Sequence, residues 1–327
     1  MHTEQLPAGP QYFQSHGRYR GRRGASTLNH CVLTGNFAQR GGGALDSTLN
    51  NCTLTDNSAG SGGGAEGATL NNCLLTGNSA FIGGGAYGCT LNNCTLTGNS
   101  SAYEGGGTTG GTLNNCIVYF NTPANYYSIT LNFCCTTPLP SNGAGNITNA
   151  PLVVDLAEGN LRLQTNSPCI NAGRNVYATG STDLDGNPRI SGGTVDIGAY
   201  EFQNPASAIS YAWLQQFGLA TDGSADFADP DGDAMNDWQE WRCGTDPTDP
   251  FSLLKMLALS NSGSGVVVSW RSVSGMRYCL QRSSNLAASS AFSTLQTNII
   301  GQAGATTYTD TDALGNGPFY YRVGVQY

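Results

Sequence analysis

Charge is the scarcest feature of this sequence. Asp, Glu, Lys and Arg make up 11% of its 327 residues, and Lys255 is its one lysine. The formal net charge of −8 and the pI of about 4.7 make nucleic acid a poor partner for the chain as a whole. Long apolar runs are lacking as well, so the sequence predicts no membrane span, and no secretory signal is visible at its start.

Glycine, by contrast, is abundant at 45 residues, and it accompanies a repeated Thr-Leu-Asn-Asn-Cys motif. Copies lie 18 to 22 residues apart and begin at Thr27, Thr48, Thr69, Thr90, Thr112 and, in weaker form, Thr130. A period of about 21 residues is short for a helix pair and fits one coil of a solenoid. The sequence therefore predicts an all-β fold: a right-handed parallel β-helix of about six coils, a short calcium-loop segment and a C-terminal β-sandwich.

Side chains in each coil are expected to alternate between the inside and the outside of the solenoid. In the second coil this pattern turns Leu49, Cys52 and Leu54 inward, and Asn50 and Thr53 outward. Asn and Gly are expected at the corners, because they tolerate positive φ.

Outward threonines suggest a second interpretation of the surface. Residues 53/55 and 95/97 form Thr-x-Thr pairs of the kind found on flat ice-binding β-helices. Other residue types interrupt the same outer column, namely Val32, Leu74 and Ile117. A regular lattice is thereby broken, so we take these threonines as good solvent-facing strand residues and keep ice binding as a minor alternative.

Six of the eleven cysteines hold the same place in successive repeats: Cys31, Cys52, Cys73, Cys94, Cys116 and Cys134. In-register parallel stacking separates neighbouring Cβ atoms by about 4.8 Å, whereas a disulfide needs about 3.8 Å. A linear ladder also does not converge on a point, as metal ligands must. We therefore expect a structural ladder of buried free thiols. The oxidation state of the others stays open: Cys89, Cys135, Cys169, Cys243 and Cys279.

The repeats offer little catalytic chemistry. Residues 26–150 contain five charged side chains, which are Arg40, Asp46, Asp56, Glu66 and Glu104. Cleavage of polysaccharides needs paired carboxylates, or calcium-bound carboxylates with a base, and these five do not line up in that way. We expect no catalytic residues and no enzymatic activity.

Three later segments carry a family resemblance: Leu161–Gly173, Thr182–Arg189 and Val195–Glu201. With the Asn-Cys and triple-glycine repeats, they resemble bacterial choice-of-anchor Q and polymorphic-outer-membrane-protein-like β-helix proteins over roughly residues 26–203. The resemblance implies a secreted or surface-exposed parallel β-helix, in most cases without an assigned activity.

The same stretch holds a polar set that could form a cation or ligand site: Asp183, Asp185, Arg189, Asp196 and Glu201. We favour a structural role, in which Arg189 pairs with an acid and closes the last coil. Open solenoid ends expose strand edges and need such a cap.

An acid-rich segment follows, with nine acids between Asp222 and Asp249. The spacing of EF-hand ligands at positions 1, 3, 5, 7, 9 and 12 is matched by Asp229, Asp231, Asp233, Met235 (through its carbonyl), Asp237 and Glu240. Ala234 stands at position 6, where glycine is usual because the turn favours positive φ. We predict a structural calcium site here; the alternative is an acidic linker without a metal.

The block from Trp213 to Pro247 resembles a thrombospondin-type-3-like or dockerin-like calcium repeat of secreted bacterial proteins. This resemblance adds Asp226 as a ligand. Short alternating strands in residues 257–327, among them Gly265–Trp270 and Phe319–Val325, resemble a fibronectin-type-III-like module. The predicted domains are a flexible or truncated N-terminal arm (1–25), the capped β-helix (26–205), the calcium-binding linker (206–256) and the β-sandwich (257–327).

The first functional hypothesis is a non-catalytic secreted or cell-surface structural or adhesion protein with a β-helix scaffold. The alternatives are a carbohydrate-binding or degenerate polysaccharide-lyase-like module, and a filament subunit that self-associates through the solenoid ends. The sequence does not identify a binding partner. Glycans and other surface proteins are the candidates.

Overall fold

The computed structural model describes residues 11–13, 26–288, 291–313 and 317–326. It divides into two compact units, Met1–Gly223 and Ser224–Tyr327. Most of the predicted N-terminal arm therefore lies outside the described residues, apart from the short strand Gln11–Phe13, which pairs in parallel with residues 31–33. Within the described residues, no helix has the length and apolar character needed to cross a membrane.

The first unit is a parallel β-solenoid with three faces. Face A consists of strands Gln11–Phe13, Cys31–Thr34, Thr53–Thr55, Leu74–Thr76, Thr95–Thr97, Ile117–Val118 and Cys135–Thr136. Face B consists of strands Phe37–Arg40, Ser58–Ser61, Ser79–Ile82 and Ser100–Glu104. Face C consists of strands Thr27–Asn29, Ala44–Leu45, Thr48–Asn50, Ala65–Glu66, Thr69–Asn71, Ala86–Asn92, Thr108–Asn114, Tyr126–Tyr127 and Thr130–Asn132.

The repeat period predicted the solenoid correctly, and the stack has about five turns where the sequence predicted about six. Equivalent residues pair in register, as Thr48 does with Thr69 and Leu54 with Leu75. The copy that begins at Thr130 supplies strands to faces C and A only, among the residues described. Pro138 follows soon after, and proline cannot donate to a strand ladder.

The interior of the solenoid is filled by stacked apolar columns. The leucines of the repeat motif, such as Leu49, Leu70 and Leu91, are completely buried, and the ladder cysteines pack beside them in the same core. Corner residues take the left-handed conformation, with φ near 50° at Asn51, Asn72 and their equivalents. These corners let each short strand end and the next face begin.

A second column inside the solenoid is polar. It consists of five buried asparagines, one per turn: Asn36, Asn57, Asn78, Asn99 and Asn121. The side-chain oxygen of Asn78 accepts hydrogen bonds from the backbone and side-chain nitrogens of Asn57, at 3.0 and 2.9 Å. Its amide nitrogen donates to the Leu54 carbonyl and to Asn99 Oδ1, both at 2.9 Å. Every asparagine in the middle of the column thus binds both neighbouring turns.

A strap of residues 174–183 runs back along the solenoid. Corner asparagines of successive turns donate to its backbone carbonyls, in the pairs Asn115–Arg174, Asn93–Tyr177, Asn72–Thr179 and Asn51–Asp183. Further along the chain, the backbone nitrogen of Ala199 donates to Thr95 Oγ1 at 3.0 Å. The second asparagine of the four repeats that have one is therefore a docking point for the end of the unit, which is a role that repeat spacing does not reveal.

The covering chain corrects the expectation of a solvent-facing Thr-x-Thr pair at residues 95/97, whereas the pair at residues 53/55 keeps access to solvent, as expected. Thr95 and Thr97 are 1% and 6% exposed, and Thr53 and Thr55 are only half-buried at the other end of face A. The Thr95 hydroxyl binds the protein's own backbone rather than water. The alternation was right, but a tertiary contact from a distant segment occupies the outside of this face.

The first unit is completed by short elements. Strands Val153–Asp155 and Asn160–Leu163 pair antiparallel, residues Asn175–Tyr177 form one 3₁₀ turn in the strap, and helix α1 spans Tyr211–Gln216. Tyr211 and Leu214 bury the inner side of α1.

The second unit contains helix α2, Asp237–Cys243, and two three-stranded antiparallel sheets. One sheet has strands Ser260–Ser262, Gly265–Ser272 and Gly304–Asp310; the other has strands Ser293–Ile300, Arg277–Ser283 and Tyr320–Gln326. Their buried side chains form a single cluster around Trp270 and Tyr278, whose rings meet edge to face.

Candidate metal site

In the acid-rich loop of the second unit, side-chain carboxylates accept hydrogen bonds from backbone nitrogens of the same loop. Asp229 accepts hydrogen bonds from the backbone nitrogens of Gly232 and Ala234, at 2.8 and 3.0 Å. Asp233 accepts from the backbone nitrogen of Met235 at 2.7 Å. These bonds wind the chain so that one carboxylate oxygen each from Asp229, Asp231 and Asp233 lie within 4.8 Å of one another. The predicted positions 1, 3 and 5 thus converge on one point.

Helix α2 brings in the two remaining acids. It begins with a capping box, in which the Asn236 side chain accepts from Gln239 N at 2.9 Å and the Gln239 side chain accepts from Asn236 N at 3.0 Å. The box fixes the first turn, so that Asp237 and Glu240 are completely buried. A left-handed residue, Gly244 with φ 69°, ends the helix.

These acids are buried with oxygens that bind nothing in the protein. Both carboxylate oxygens of Asp237 and of Glu240, and one oxygen each of Asp231 and Asp233, lack a hydrogen-bond partner among the described residues. Burial, with the charges of Asp231 and Asp233, raises the pKa of Glu240 to about 8. Burial and nearby acids raise the pKa of Asp237 to about 6. Buried anions of this kind need a cation to offset their lost hydration.

The donor set fits calcium. Calcium takes six to eight oxygen ligands, and it accepts carboxylates, carbonyls and water. Carboxylate oxygens of three predicted ligands lie close together. The charge of Asp231 also contributes to the raised pKa of both Asp237 and Glu240. Asp226 is buried, and its charge also reaches Asp237. For Met235, the structure places the backbone nitrogen against Asp233, which keeps the residue in the loop.

The loop contains a matched pair of left-handed positions. Gly232 and Ala234 both have φ of 77°. Nothing lies within 4 Å of a Cβ placed on Gly232, so backbone conformation alone decides the cost there. Ala234→Gly should stabilise the second unit by about 0.5–1 kcal/mol, and Gly232→Ala should destabilise it by a similar amount. Urea unfolding in calcium measures both; a loss of stability in Ala234→Gly would contradict the assignment.

Without calcium, the second unit should become less stable as the pH rises. Below about 4.3, an ordinary glutamate pKa, Glu240 is protonated in both the folded and the unfolded chain. Between that pH and its folded pKa of about 8, only the folded chain keeps the proton, so each rise in pH favours unfolding. Melting in a chelator at several pH values tests this. If the stability of the second unit stays level or increases over this pH range, the raised pKa of Glu240 does not determine how its stability depends on pH.

The six ladder cysteines stack one per turn, and all eleven cysteines are free thiols. Successive members interact through the backbone: the nitrogen of Cys52 donates to Cys73 Sγ at 3.4 Å, and Cys73 does the same to Cys94. Burial raises the pKa of the Cys73 and Cys94 thiols well above the ordinary value. Thiols held neutral in this way pack as small apolar groups and are poor nucleophiles.

Four residues of the polar set near the end of the first unit form a hydrogen-bonded cluster, which we call the clasp: Asp183, Arg189, Asp196 and Glu201. Arg189 is 1% exposed and donates to Glu201 at 2.8 Å, while Asp196 accepts from the backbone nitrogens of Asn171 and Phe202 at 2.7 and 2.6 Å. Asp183 accepts from the backbone nitrogen of Glu201 at 3.0 Å. These acids hold backbone amides of the turns between residues 171 and 202, which fits the expected cap.

Asp185 is the exception within this set. It lies outside the clasp and pairs with Arg162 at 2.5 Å.

An aromatic pair on face B has no counterpart among the predicted site residues. The rings of Phe81 and Tyr103 stack with centroids 5.7 Å apart, yet the two side chains are 57% and 65% exposed. They lie on neighbouring turns, and both side chains project from the outer side of face B. A hint existed in the sequence, since Phe81 and Tyr103 stand where the second repeat has small residues.

No protein-family model matches the chain, and comparison with curated proteins gives no significant match.

Proposed function

We propose that this chain is a non-catalytic structural or adhesion protein of the cell surface or extracellular space, with a solenoid scaffold and a second unit braced by one calcium ion. The observation that supports it most is the group of carboxylates around Asp231, where Asp237 and Glu240 are buried without a partner among the described residues. A cation bound at this point would offset the lost hydration of these carboxylates in their ionised form.

The proposed location follows from the strength expected of such a site. Ala234 holds a left-handed conformation in the loop, which costs binding energy that glycine would not. Calcium modules outside cells have dissociation constants of about 10⁻⁴–10⁻³ M, far above the range of intracellular sensors and buffers. A weak, strained site is useful only where calcium is plentiful.

A scaffold role for the solenoid is supported by how its polar groups are used. The buried asparagines bind neighbouring turns, the corner asparagines bind the strap, and the clasp acids bind backbone amides. This chemistry holds the fold together. We further propose, from the sequence resemblance, kinship with choice-of-anchor Q β-helix proteins, a thrombospondin-type-3-like loop and a fibronectin-type-III-like sandwich in the second unit.

Calorimetric titration of the full chain with calcium tests the proposal. One ion should bind, with a dissociation constant between about 10⁻⁴ and 10⁻³ M. The double variant Asp231→Ala, Asp233→Ala should not bind, whereas Asp312→Asn, an exposed acid of the same unit, should bind like the parent. Absence of binding by the parent protein at millimolar calcium would refute the brace. Antibody labelling of intact producing cells tests the location, and a purely intracellular signal would refute it.

Glycan binding is the second candidate, and the exposed Phe81–Tyr103 pair favours it. Flat aromatic faces bind the C–H faces of sugar rings, and the cost of leaving two such side chains in water is otherwise unexplained. Phe81→Ser with Tyr103→Ser should abolish retention on a glycan array, while Phe37→Ser, exposed on the same face, should not. No glycan retained by the parent chain would exclude this candidate.

A further inference from the structure

The outer side of face C presents an unbroken polar array. In every copy of the repeat, the two outward positions are a threonine and the asparagine two residues later. The array comprises Thr27, Asn29, Thr48, Asn50, Thr69, Asn71, Thr90, Asn92, Thr112, Asn114, Thr130 and Asn132. The strand register pairs threonine with threonine and asparagine with asparagine throughout.

The regularity of this array is specific to face C. On face A, the equivalent outward column reads Val32, Thr53, Leu74, Thr95 and Ile117. Repeats of 18 and 22 residues occur among those of 21, yet the changes in length fall outside face C, and its pairing continues without a shift. Residues 198 and 199 cover face A at Thr95 and Ile117. All six threonines of face C, and all its asparagines except Asn114, retain access to solvent.

The asparagines of the array are held rigidly by one another. Each side-chain nitrogen donates to the side-chain oxygen of the preceding turn, at 2.8–3.0 Å, as Asn71 does to Asn50 and Asn92 does to Asn71. One N–H and one lone pair remain for water on each of the solvent-accessible amides between the two ends of the array, that is, on all of these except Asn114. The amides therefore point in a common direction at the spacing of the turns.

The threonines present a hydroxyl and a methyl group in the same repeat. None of their six hydroxyls binds another described residue, so their donors and acceptors are left to solvent. Threonine is stiff about χ1, and a sheet backbone fixes its direction further. Adjacent turns are about 4.8 Å apart and alternate residues on one strand about 6.8 Å apart, which makes the array a small, regular lattice.

A ligand that complements this surface over several turns would be neutral and periodic. None of the twelve side chains is charged, so a polyanion or a polycation gains nothing there. None is aromatic either, which disfavours sugar rings. Crystalline water meets both conditions, because it is neutral and its oxygen rows repeat at nearly the separation of the turns. Water bound between the rigid methyl, hydroxyl and amide groups adopts that repeat and joins the crystal.

We propose that the Thr-x-Asn array of face C is an ice-binding surface. It is distinct from the Thr-x-Thr pairs of face A, of which the protein itself buries Thr95 and Thr97. Binding requires no metal, and the calcium site lies in the other unit.

Measurement of thermal hysteresis and ice recrystallisation by the full chain tests this proposal. The parent protein should shape ice crystals and inhibit their regrowth, equally in calcium and in a chelator. Thr90→Tyr places a bulky ring in the middle of the array at an exposed position and should lower the hysteresis by about tenfold or more. The matched control is Ser100→Tyr, exposed on face B of the same turn, which should act like the parent.

The folding of both variants is checked by circular dichroism, and Thr48→Tyr serves as a second substitution in the array. An intact parent chain without hysteresis or recrystallisation activity would overturn the proposal. Equal losses in Thr90→Tyr and Ser100→Tyr would overturn the assignment to face C. Binding to powdered cellulose or chitin without any effect on ice would identify a polysaccharide as the occupant and also overturn it.

Discussion

Asn78→Ala is expected to lower the free energy of unfolding of the solenoid by about 4 kcal/mol or more. The substitution removes the hydrogen bonds that Asn78 makes with the Leu54 carbonyl and with the backbone nitrogen of Asn57. It also removes one of the two bonds that the Asn57 side-chain nitrogen donates, the other being to the Leu33 carbonyl. Each buried polar group left unpaired costs about 1–3 kcal/mol, and the removed side chain leaves a cavity as well. Because whole domains are stable by only about 5–15 kcal/mol, this single change should bring the unit close to unfolding.

A matched control exists in the same turn. Asn71 also joins the neighbouring turns, donating to Asn50 and accepting from Asn92, both at 2.9 Å. It lies on the outer side of face C, where water can replace the lost bonds, so Asn71→Ala should cost about 1 kcal/mol or less. Urea unfolding of both variants gives the comparison. Equal effects would mean that burial of the inner column contributes little to the solenoid.

Glu240→Gln is expected to change stability in opposite directions with and without calcium. In a chelator at pH 9, above the folded pKa of about 8, the parent holds a buried charge that glutamine lacks. The variant should therefore melt higher than the parent. With calcium at about one hundred times its dissociation constant, the parent gains about 2.7 kcal/mol from binding, and the variant loses the ligand that closes the site. The order of melting temperatures should then reverse.

Asp312→Asn is the control for removing one negative charge from the second unit. Asp312 is exposed and outside the ligand set, so its variant should follow the parent in both conditions. Differential scanning fluorimetry in calcium and in a chelator measures all three proteins. If Glu240→Gln melts below the parent in both conditions, Glu240 has an ordinary packing role and is not a ligand.

Repeat spacing was enough to predict the solenoid and its inward columns. Strand alternation placed Leu49, Cys52 and Leu54 in the core, where they are completely buried. Asparagine was less predictable, because the same residue type serves three purposes here. Asn50 forms an outer ladder, Asn51 turns a corner and binds the strap, and Asn57 binds its neighbours inside. Only the stacked turns distinguish these roles.

Contacts between distant segments explain what the sequence did not reveal. The chain after the strap has no repeat of its own, so nothing in the spacing indicated that Ala199 would bind Thr95 or that Thr95 and Thr97 would be buried. The EF-hand spacing did predict that Asp229, Asp231 and Asp233 converge. It did not predict that Asp237 and Glu240 would be buried, because burial depends on how α2 packs against the rest of its unit.

Scanning calorimetry of the full chain, with calcium and with a chelator, tests the central claim most directly. The claim is that calcium braces the second unit and leaves the solenoid unaffected. We predict two transitions, of which the one from the second unit moves up by several degrees in calcium while the solenoid transition stays in place. Two transitions that both ignore calcium, or a solenoid transition that moves with it, would contradict the account.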